Sequence, residues 1–91
     1  MIGEQKIVKV VKSNDGKCTF SYVSKSTKEG VEWTTIDLSV MHDTFISILF
    51  TEMINVYGDK LEIGCHIYMV SYPIQSRSKI LSGDFSVNKL S

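Results

Sequence analysis

The sequence has few of the residues that stabilise a fold by disulfides, metal ligation or proline-rigidified turns. It has one proline and two cysteines, Cys18 and Cys65, and its two histidines, His42 and His66, do not stand at a metal-finger spacing. A zinc site needs four converging ligands with local pairs, so we predict no metal site. The two cysteines are expected to be reduced and to behave as small apolar side chains.

Long apolar runs are also missing. No segment approaches the ~18 apolar residues that cross a bilayer, and the first residues lack the apolar stretch of a signal peptide. We therefore expect a cytoplasmic protein with no membrane partner. A chain of 91 residues suffices for one domain, residues 1–91, and 43% hydrophobic residues are enough for an ordinary globular core.

The residue patterns of an enzyme are missing as well. There is no Gly-rich phosphate loop, and no nucleophile lies in a recognisable elbow. Cys65 and His66 are neighbours in a strand-like run, so their side chains point to opposite faces and do not form a pair. The sequence predicts no catalytic residue and no cofactor.

The net charge is zero, but the charges are segregated along the chain. Residues 1–28 hold six lysines against two acids, and residues 29–70 hold seven acids against one lysine. The remainder has three basic residues against one acid. If the two ends of the chain are adjacent in the fold, they form one positive face.

Five segments have the composition or the alternation of β-strands: 6–12, 17–24, 31–40, 61–70 and 84–90. Asp15-Gly16 between the first two is a strong hairpin signal. The fourth segment alternates with a period of two, which predicts a strand with one buried face. We expect the set that contains Cys65, Ile67 and Met69 to face inward.

Residues 43–57 can be read as a strand or as a helix. On a helical wheel the segment sorts into one apolar arc and one polar arc, and only Ile48 and Ile54 stray. Asp43 is suited to the N-cap and Gly58 to the left-handed C-terminal cap. We therefore predict a helix, because a 3.6-residue period over fifteen positions outweighs local β propensity.

This element order predicts a mostly β fold. A five-stranded barrel with one helix between the third and fourth strands is the OB-fold, a Greek-key barrel used for oligonucleotides. The closest alternative is an open α+β sheet with the helix packed across one face.

Two short motifs resemble the bacterial and phage single-stranded DNA-binding proteins. Glu32-Trp33 opens the third strand, and the run from Gly64 to Met69 is similar to that family's Gly-x-x-Val-Tyr-Val signature. The resemblance covers residues 31–72 and implies an OB-fold, single-stranded DNA as ligand, and a homo-oligomer, either a dimer or a tetramer. The family's usual glycine after this strand is replaced by Ser71-Tyr72-Pro73, and its acidic C-terminal tail has no counterpart here.

Sequence-tolerant binding of single strands requires flat aromatic side chains and cations along a groove. Trp33 is the strongest aromatic candidate, because alternation places it opposite the core side of its strand. Its alternative is a place on the outer wall of the barrel or at a subunit interface. Core packing is the alternative for Phe20 and Tyr22, and burial by a neighbouring chain is the alternative for Tyr68 and Tyr72. The candidates are Trp33, Phe20, Tyr22, Tyr68 and Tyr72, with Tyr68 and Tyr72 expected to point outward. The candidate cations are Lys9, Lys12, Lys25, Lys28, Arg77 and Lys79, for each of which a solvated surface is the ordinary alternative.

Two functions follow from these patterns. The first is non-catalytic binding of single-stranded DNA in replication or recombination, with RNA satisfying the same chemistry. The second is a protein–protein interaction module, a small barrel subunit or inhibitor, with no nucleic-acid binding. The two differ in salt dependence, because only phosphate contacts weaken steeply as salt rises.

Overall fold

The computed structural model describes residues 3–36, 44–74 and 77–91, which form one antiparallel sheet with a helix on one side. The side chains of Thr44 and Arg77 lie outside this description. The elements are β1 (Gly3–Lys12), β2 (Cys18–Thr27), β3 (Gly30–Ile36), α1 (Thr44–Tyr57), β4 (Gly64–Pro73), α2 (Arg77–Leu81) and β5 (Ser86–Lys89). A single 3₁₀ turn, Gly58–Lys60, follows α1.

The turn between β1 and β2 forms where Asp15-Gly16 predicts it. Gly16 has a φ of 85°, a left-handed conformation that suits glycine. The Asp15 carboxylate accepts hydrogen bonds from the Ser13 hydroxyl and, at 3.0 Å, from the backbone N–H of Lys17. These bonds lower the pKa of Asp15. The turn therefore fixes the register of the first hairpin with local polar contacts.

The strand order in the sheet is β3-β2-β1-β4-β5, and every neighbouring pair is antiparallel. The prediction of five strands and a helix between the third and fourth is confirmed. The prediction of a closed barrel is wrong for the described residues, among which β3 and β5 do not pair with each other. The sheet does not close on itself. Instead, α1 and α2 pack over the side of the sheet that a barrel would enclose.

Helix α1 confirms the helical reading of the competing segment. Leu49, Phe50 and Met53 are fully buried, and the Phe50 ring stacks on Phe20 of β2 with centroids 5.5 Å apart. Ile48 and Ile54, which stray from the apolar arc, are half-buried against the same core. The proposed N-cap, Asp43, lies outside the described residues, as do Leu38 and Val40 of the predicted third strand.

Strand β4 corrects the predicted choice of inner face. Tyr68, Val70 and Tyr72 lie in the core, whereas Cys65 is exposed and Met69 is half-buried on the other side. Both alternating sets are apolar, so alternation alone does not choose between them. The pairing with β1 makes the choice, because Val8, which is fully buried, lies directly opposite Tyr68.

The connection after β4 also differs from the prediction. The composition of residues 75–79 predicts a polar, basic loop, but residues 77–79 lie in α2, whose Ile80 is fully buried in the core. At the other end of α1, the Lys12 ammonium donates to the Gly58 carbonyl at 2.8 Å, which places a cation at the helix C-terminus. No helix of the described residues is long and apolar enough to span a membrane.

The stacked pair of phenylalanines gives a direct test of this core. Phe50→Ala is expected to lower the free energy of unfolding by about 3–5 kcal/mol, because it leaves a cavity between α1 and the sheet. Val56→Ala, at an exposed position of the same helix, should change it by about 0.5 kcal/mol or less. Urea unfolding of both variants measures the two values, and equal losses would contradict this packing.

Strand β5 is held by an ion pair whose pH dependence has a definite sign. Lys89 Nζ lies 2.8 Å from Glu62 Oε2, and this contact lowers the pKa of Glu62 from its ordinary value of 4.5. The ion pair therefore stabilises the fold above pH 4.5, and this stabilisation is lost as pH falls through the lowered pKa of Glu62. Because the pair is exposed, its contribution is small.

We expect Glu62→Gln to reduce the urea midpoint at neutral pH and to have no effect once the carboxyl is protonated. Glu29→Gln is the control, since Glu29 forms no salt bridge among the described residues. Urea titrations at several pH values compare the variants. A difference between wild type and Glu62→Gln that grows as pH falls would have the wrong sign for this pair.

Candidate nucleic-acid interface

The side of the sheet opposite α1 has no described element packed on it, and we call it the uncovered face. Its members follow from the alternation of each strand and from the pairing registers. The central strand β1 contributes an apolar residue on each side of one lysine. From β1 to β4, the uncovered face includes Ile7, Lys9, Val11, Thr19, Ser21, Val23, Trp33, Thr35, Cys65, Ile67 and Met69.

Trp33 lies on the uncovered face, where alternation in β3 places it. Its partner in β2 is Val23, and its side chain is half-buried. The Lys9 ammonium lies 4.9 Å from the centroid of the indole ring, within the range of a cation–π contact. An aromatic ring and a cation therefore occupy one site on the surface of the sheet.

Two hydroxyl groups complete a polar row beside the indole. Lys9, Ser21 and Thr35 are consecutive partners across β1, β2 and β3. The Ser21 and Thr35 hydroxyl oxygens are 3.0 Å apart and share a hydrogen bond. Ser21 is buried, whereas Thr35 is exposed.

The electrostatics of the uncovered face are simple. Among the described strand residues, alternation brings no aspartate or glutamate onto it, and Lys9 is its one charged side chain. Within the described strands, an anion that approaches this face meets one cation and no carboxylate. These residues therefore give the face a positive charge although the net charge of the chain is zero.

The other predicted aromatic candidates do not reach this face. Phe20, Tyr68 and Tyr72 are 3%, 7% and 5% exposed and lie under the helices, so the prediction that the two tyrosines point outward is wrong. Desolvation raises the pKa of Tyr68, and the Tyr72 hydroxyl donates to Glu4 at 3.1 Å. Tyr22 is half-buried on the covered side, with the Lys6 ammonium 5.4 Å from its ring centroid. Of the five predicted rings, the uncovered face carries Trp33.

The predicted cations do not converge into one trough. Lys12 is three positions along the strand from Lys9, so the period of two puts them on opposite sides of β1. Lys25 lies opposite Glu32 near the far end of the β2–β3 hairpin, and Lys28 is in its turn. Lys79 lies on α2, and Arg77 begins that helix with its side chain outside the described residues. Lys9 is therefore the predicted cation that the fold brings to Trp33.

Sequence reasoning missed the apolar surroundings of this pair. Ile7 and Val11, which flank Lys9 in β1, are 37% and 41% exposed, and Ile67 and Met69 pair with β1 on the same side. The signal was available in β1, where counting by two from Lys9 gives Ile7 and Val11. The signal for β4 required the register, which the sequence does not contain.

A second concave site lies at another end of the sheet. A cleft of about 570 Å³ is lined by the first residues of β1, the last of β4 and the segment that leads into β5. Its charged side chains are Glu4 and Asp84, both acidic, so it does not suit a phosphate. Among the described residues, no group of three or more His, Cys, Asp or Glu side chains is placed to hold a metal ion.

Comparisons of the chain with protein-family models, with curated proteins and with solved structures found no match.

The Lys9–Trp33 contact makes the fluorescence of this protein sensitive to the charge of a quencher. Trp33 is the one tryptophan of the chain, so the signal has a single source. We expect iodide to quench it more strongly than caesium, because the ammonium beside the ring attracts anions and repels cations. Lys9→Gln should bring the two Stern–Volmer constants together, and Lys25→Gln should not. Equal quenching by both ions in the wild type would contradict the contact.

Proposed function

We propose that this protein binds single-stranded DNA on its uncovered face, without catalysis, in the cytoplasm during replication or recombination. The observation that carries the proposal is the half-buried Trp33 beside Lys9 on a sheet surface without acidic side chains in the described strands. In this mechanism the indole stacks on a base and the ammonium contacts a backbone phosphate. The Thr35 hydroxyl is placed to accept or donate a hydrogen bond beside them.

The indole supplies affinity without sequence preference. Every base has a π-face, and one base–aromatic stack is worth ~1–3 kcal/mol. In a duplex the base faces are already stacked on one another, so a flat side chain on a sheet binds unpaired bases. Val23, the cross-strand partner of Trp33, offers an apolar contact to the sugar or the base edge.

The strand order supports the same reading. The order β3-β2-β1-β4-β5 is that of a five-stranded barrel opened between β3 and β5. In OB-folds, oligonucleotides lie across the second and third strands, flanked by the loops after the first and fourth. Trp33 and Thr35 are on β3 and Ser21 is on β2. By analogy with that arrangement, the ligand in this proposal lies on the strands that carry Trp33, Thr35 and Ser21.

The charge of the site sets the expected salt dependence. Each phosphate contact to a single strand contributes a slope of about −0.7 to the logarithmic plot of affinity against salt. With one lysine on the uncovered face, the slope should be shallow, and stacking should carry most of the affinity. RNA also offers flat base faces and backbone phosphates, so the titration should compare an RNA strand with the DNA strand.

A protein–protein interaction module is the second candidate. The observation that favours it is the apolar character of the uncovered face around Lys9, where Ile7 and Val11 are both more than a third exposed. Contiguous apolar surface on a sheet is typical of protein interaction sites. Such binding would respond little to salt and would not need unpaired bases.

Titration of a labelled oligo-dT, followed by fluorescence anisotropy, tests the proposed function. We expect Trp33→Leu to weaken binding ~10-fold, because one stack is worth ~1–3 kcal/mol. Lys9→Gln should weaken binding and flatten the salt dependence.

Lys60→Gln, in the turn after α1, is the matched control and should bind as the wild type does. A duplex of the same sequence should bind more weakly than the single strand. The proposal fails if the wild type binds no single strand at low salt, or if Trp33→Leu binds as tightly as the control.

A further inference from the structure

The cleft at the end of the sheet, which we call the acidic cleft, has no part in the proposed function. Its volume of about 570 Å³ falls within the range of small-molecule sites in proteins. Every residue that lines it belongs to the described parts of the chain. The first residues of β1, the last of β4 and the connection into β5 thus enclose one space large enough for an organic ligand.

Hydrogen bonds fix the two acidic walls of this cleft. The hydroxyl group of Tyr72, a buried residue of β4, donates to Glu4 Oε2 at 3.1 Å and so orients that carboxylate. On the other wall, the backbone N–H of Asp84 donates to the Lys79 carbonyl at 2.8 Å. The carboxylate of Glu4 and the backbone of Asp84 are therefore positioned without a ligand.

The charge of the acidic cleft is not balanced by the side chains around it. Glu4 and Asp84 are exposed, and neither forms a salt bridge among the described residues. Lys6, two positions from Glu4 in β1, instead has its ammonium 5.4 Å from the centroid of the Tyr22 ring. No lysine or arginine lines the cleft. A concave site with two carboxylates and no cation attracts positively charged ligands.

The spacing of the two carboxylates favours a ligand with two positive groups. Glu4 belongs to β1, Asp84 stands just before β5, and β4 lies between these strands. Neighbouring strands are ~4.8 Å apart, so the two residues are attached roughly 10 Å from each other. This separation suits a chain with a charge at each end better than one compact ion. Phe85 and Tyr72, which also line the cleft, add apolar surface for such a chain.

We propose that the acidic cleft binds a linear aliphatic diamine, with one ammonium group at Glu4 and the other at Asp84. The methylene chain between them lies across the end of β4. Two lysine side chains of a peptide carry the same ammonium groups, so the experiment below compares the two sources. The inference does not depend on nucleic-acid binding, because neither Trp33 nor Lys9 lines this cleft.

Isothermal titration calorimetry with cadaverine at low ionic strength tests the site. Glu4→Gln and Asp84→Asn should each weaken binding about fivefold, because each removes one exposed charge pair. Glutamine at position 4 still offers an oxygen to the Tyr72 hydroxyl, so that wall of the cleft is kept. Glu29→Gln and Asp59→Asn, at exposed positions outside the cleft, are the matched controls and should bind as the wild type does. Circular dichroism checks that each variant is folded.

Ligands of matched length test the two-point contact. Pentylamine has the same carbon chain as cadaverine and one ammonium group, so it should bind about fivefold more weakly. An acetylated Lys-Gly-Lys peptide should also bind more weakly than cadaverine. In chemical-shift mapping with cadaverine, the amides of Gln5, Ser71 and Ser86 should shift and the Trp33 indole N–H should not.

Four results would overturn the diamine site. They are the absence of binding to the wild type, equal affinities for cadaverine and pentylamine, tighter binding of the peptide than of cadaverine, and equal losses in the cleft variants and the controls.

Discussion

The pairing register of β1 between β2 and β4 decides which side of this sheet becomes the core. Val8 lies opposite Tyr22 on one side and Tyr68 on the other, and all three project toward α1. A shift of one residue would move the whole inner set to the outside. It would also bring Lys9 under Phe50, where an unpaired ammonium is costly to bury. The register therefore places Lys9 on the uncovered face as a condition of folding.

The other lysines of β1 lie on the opposite side of the strand. On the covered side, the ammonium groups of Lys6 and Lys12 reach the Tyr22 ring and the Gly58 carbonyl. Alternation puts Lys9 on the uncovered face. Its contact with Trp33 follows from this constraint, so the features that define the candidate site also stabilise the orientation of the sheet.

Local patterns in the sequence are enough to predict the helix and the first turn. They are not enough to predict which side of a strand faces the core. The period of α1 and the Asp15-Gly16 turn each involve residues close in sequence, and both predictions are confirmed. The inner face of β4 depends on partners about sixty residues away. Both faces of β4 carry large apolar side chains, so alternation by itself assigns Tyr68 to the wrong side. Sheet closure depends on the same kind of distant pairing.

The candidate site also contains one residue that local alternation predicts and others whose positions depend on distant pairing. Trp33 could be placed from its own strand, because Ile36 marks the inner side of β3 and alternation does the rest. The expected cluster of aromatic residues could not, since Phe20 and Tyr72 belong to the inner side only through their pairing with β3 and β1. The lysines were grouped by their position in the chain, whereas their positions in space follow the alternation of β1 and the course of the hairpin.

We propose that single-stranded DNA binds on the uncovered face and on neither the helix nor the hairpin tip. Chemical-shift mapping of the isotopically labelled protein during titration with oligo-dT distinguishes these surfaces. We expect shifts of the Trp33 indole N–H and of the Lys9 and Thr35 resonances, with those of Thr51 and Asn55 on α1 unchanged. Shifts confined to α1 or to the β2–β3 turn, or no shifts at low salt, would refute binding on the uncovered face.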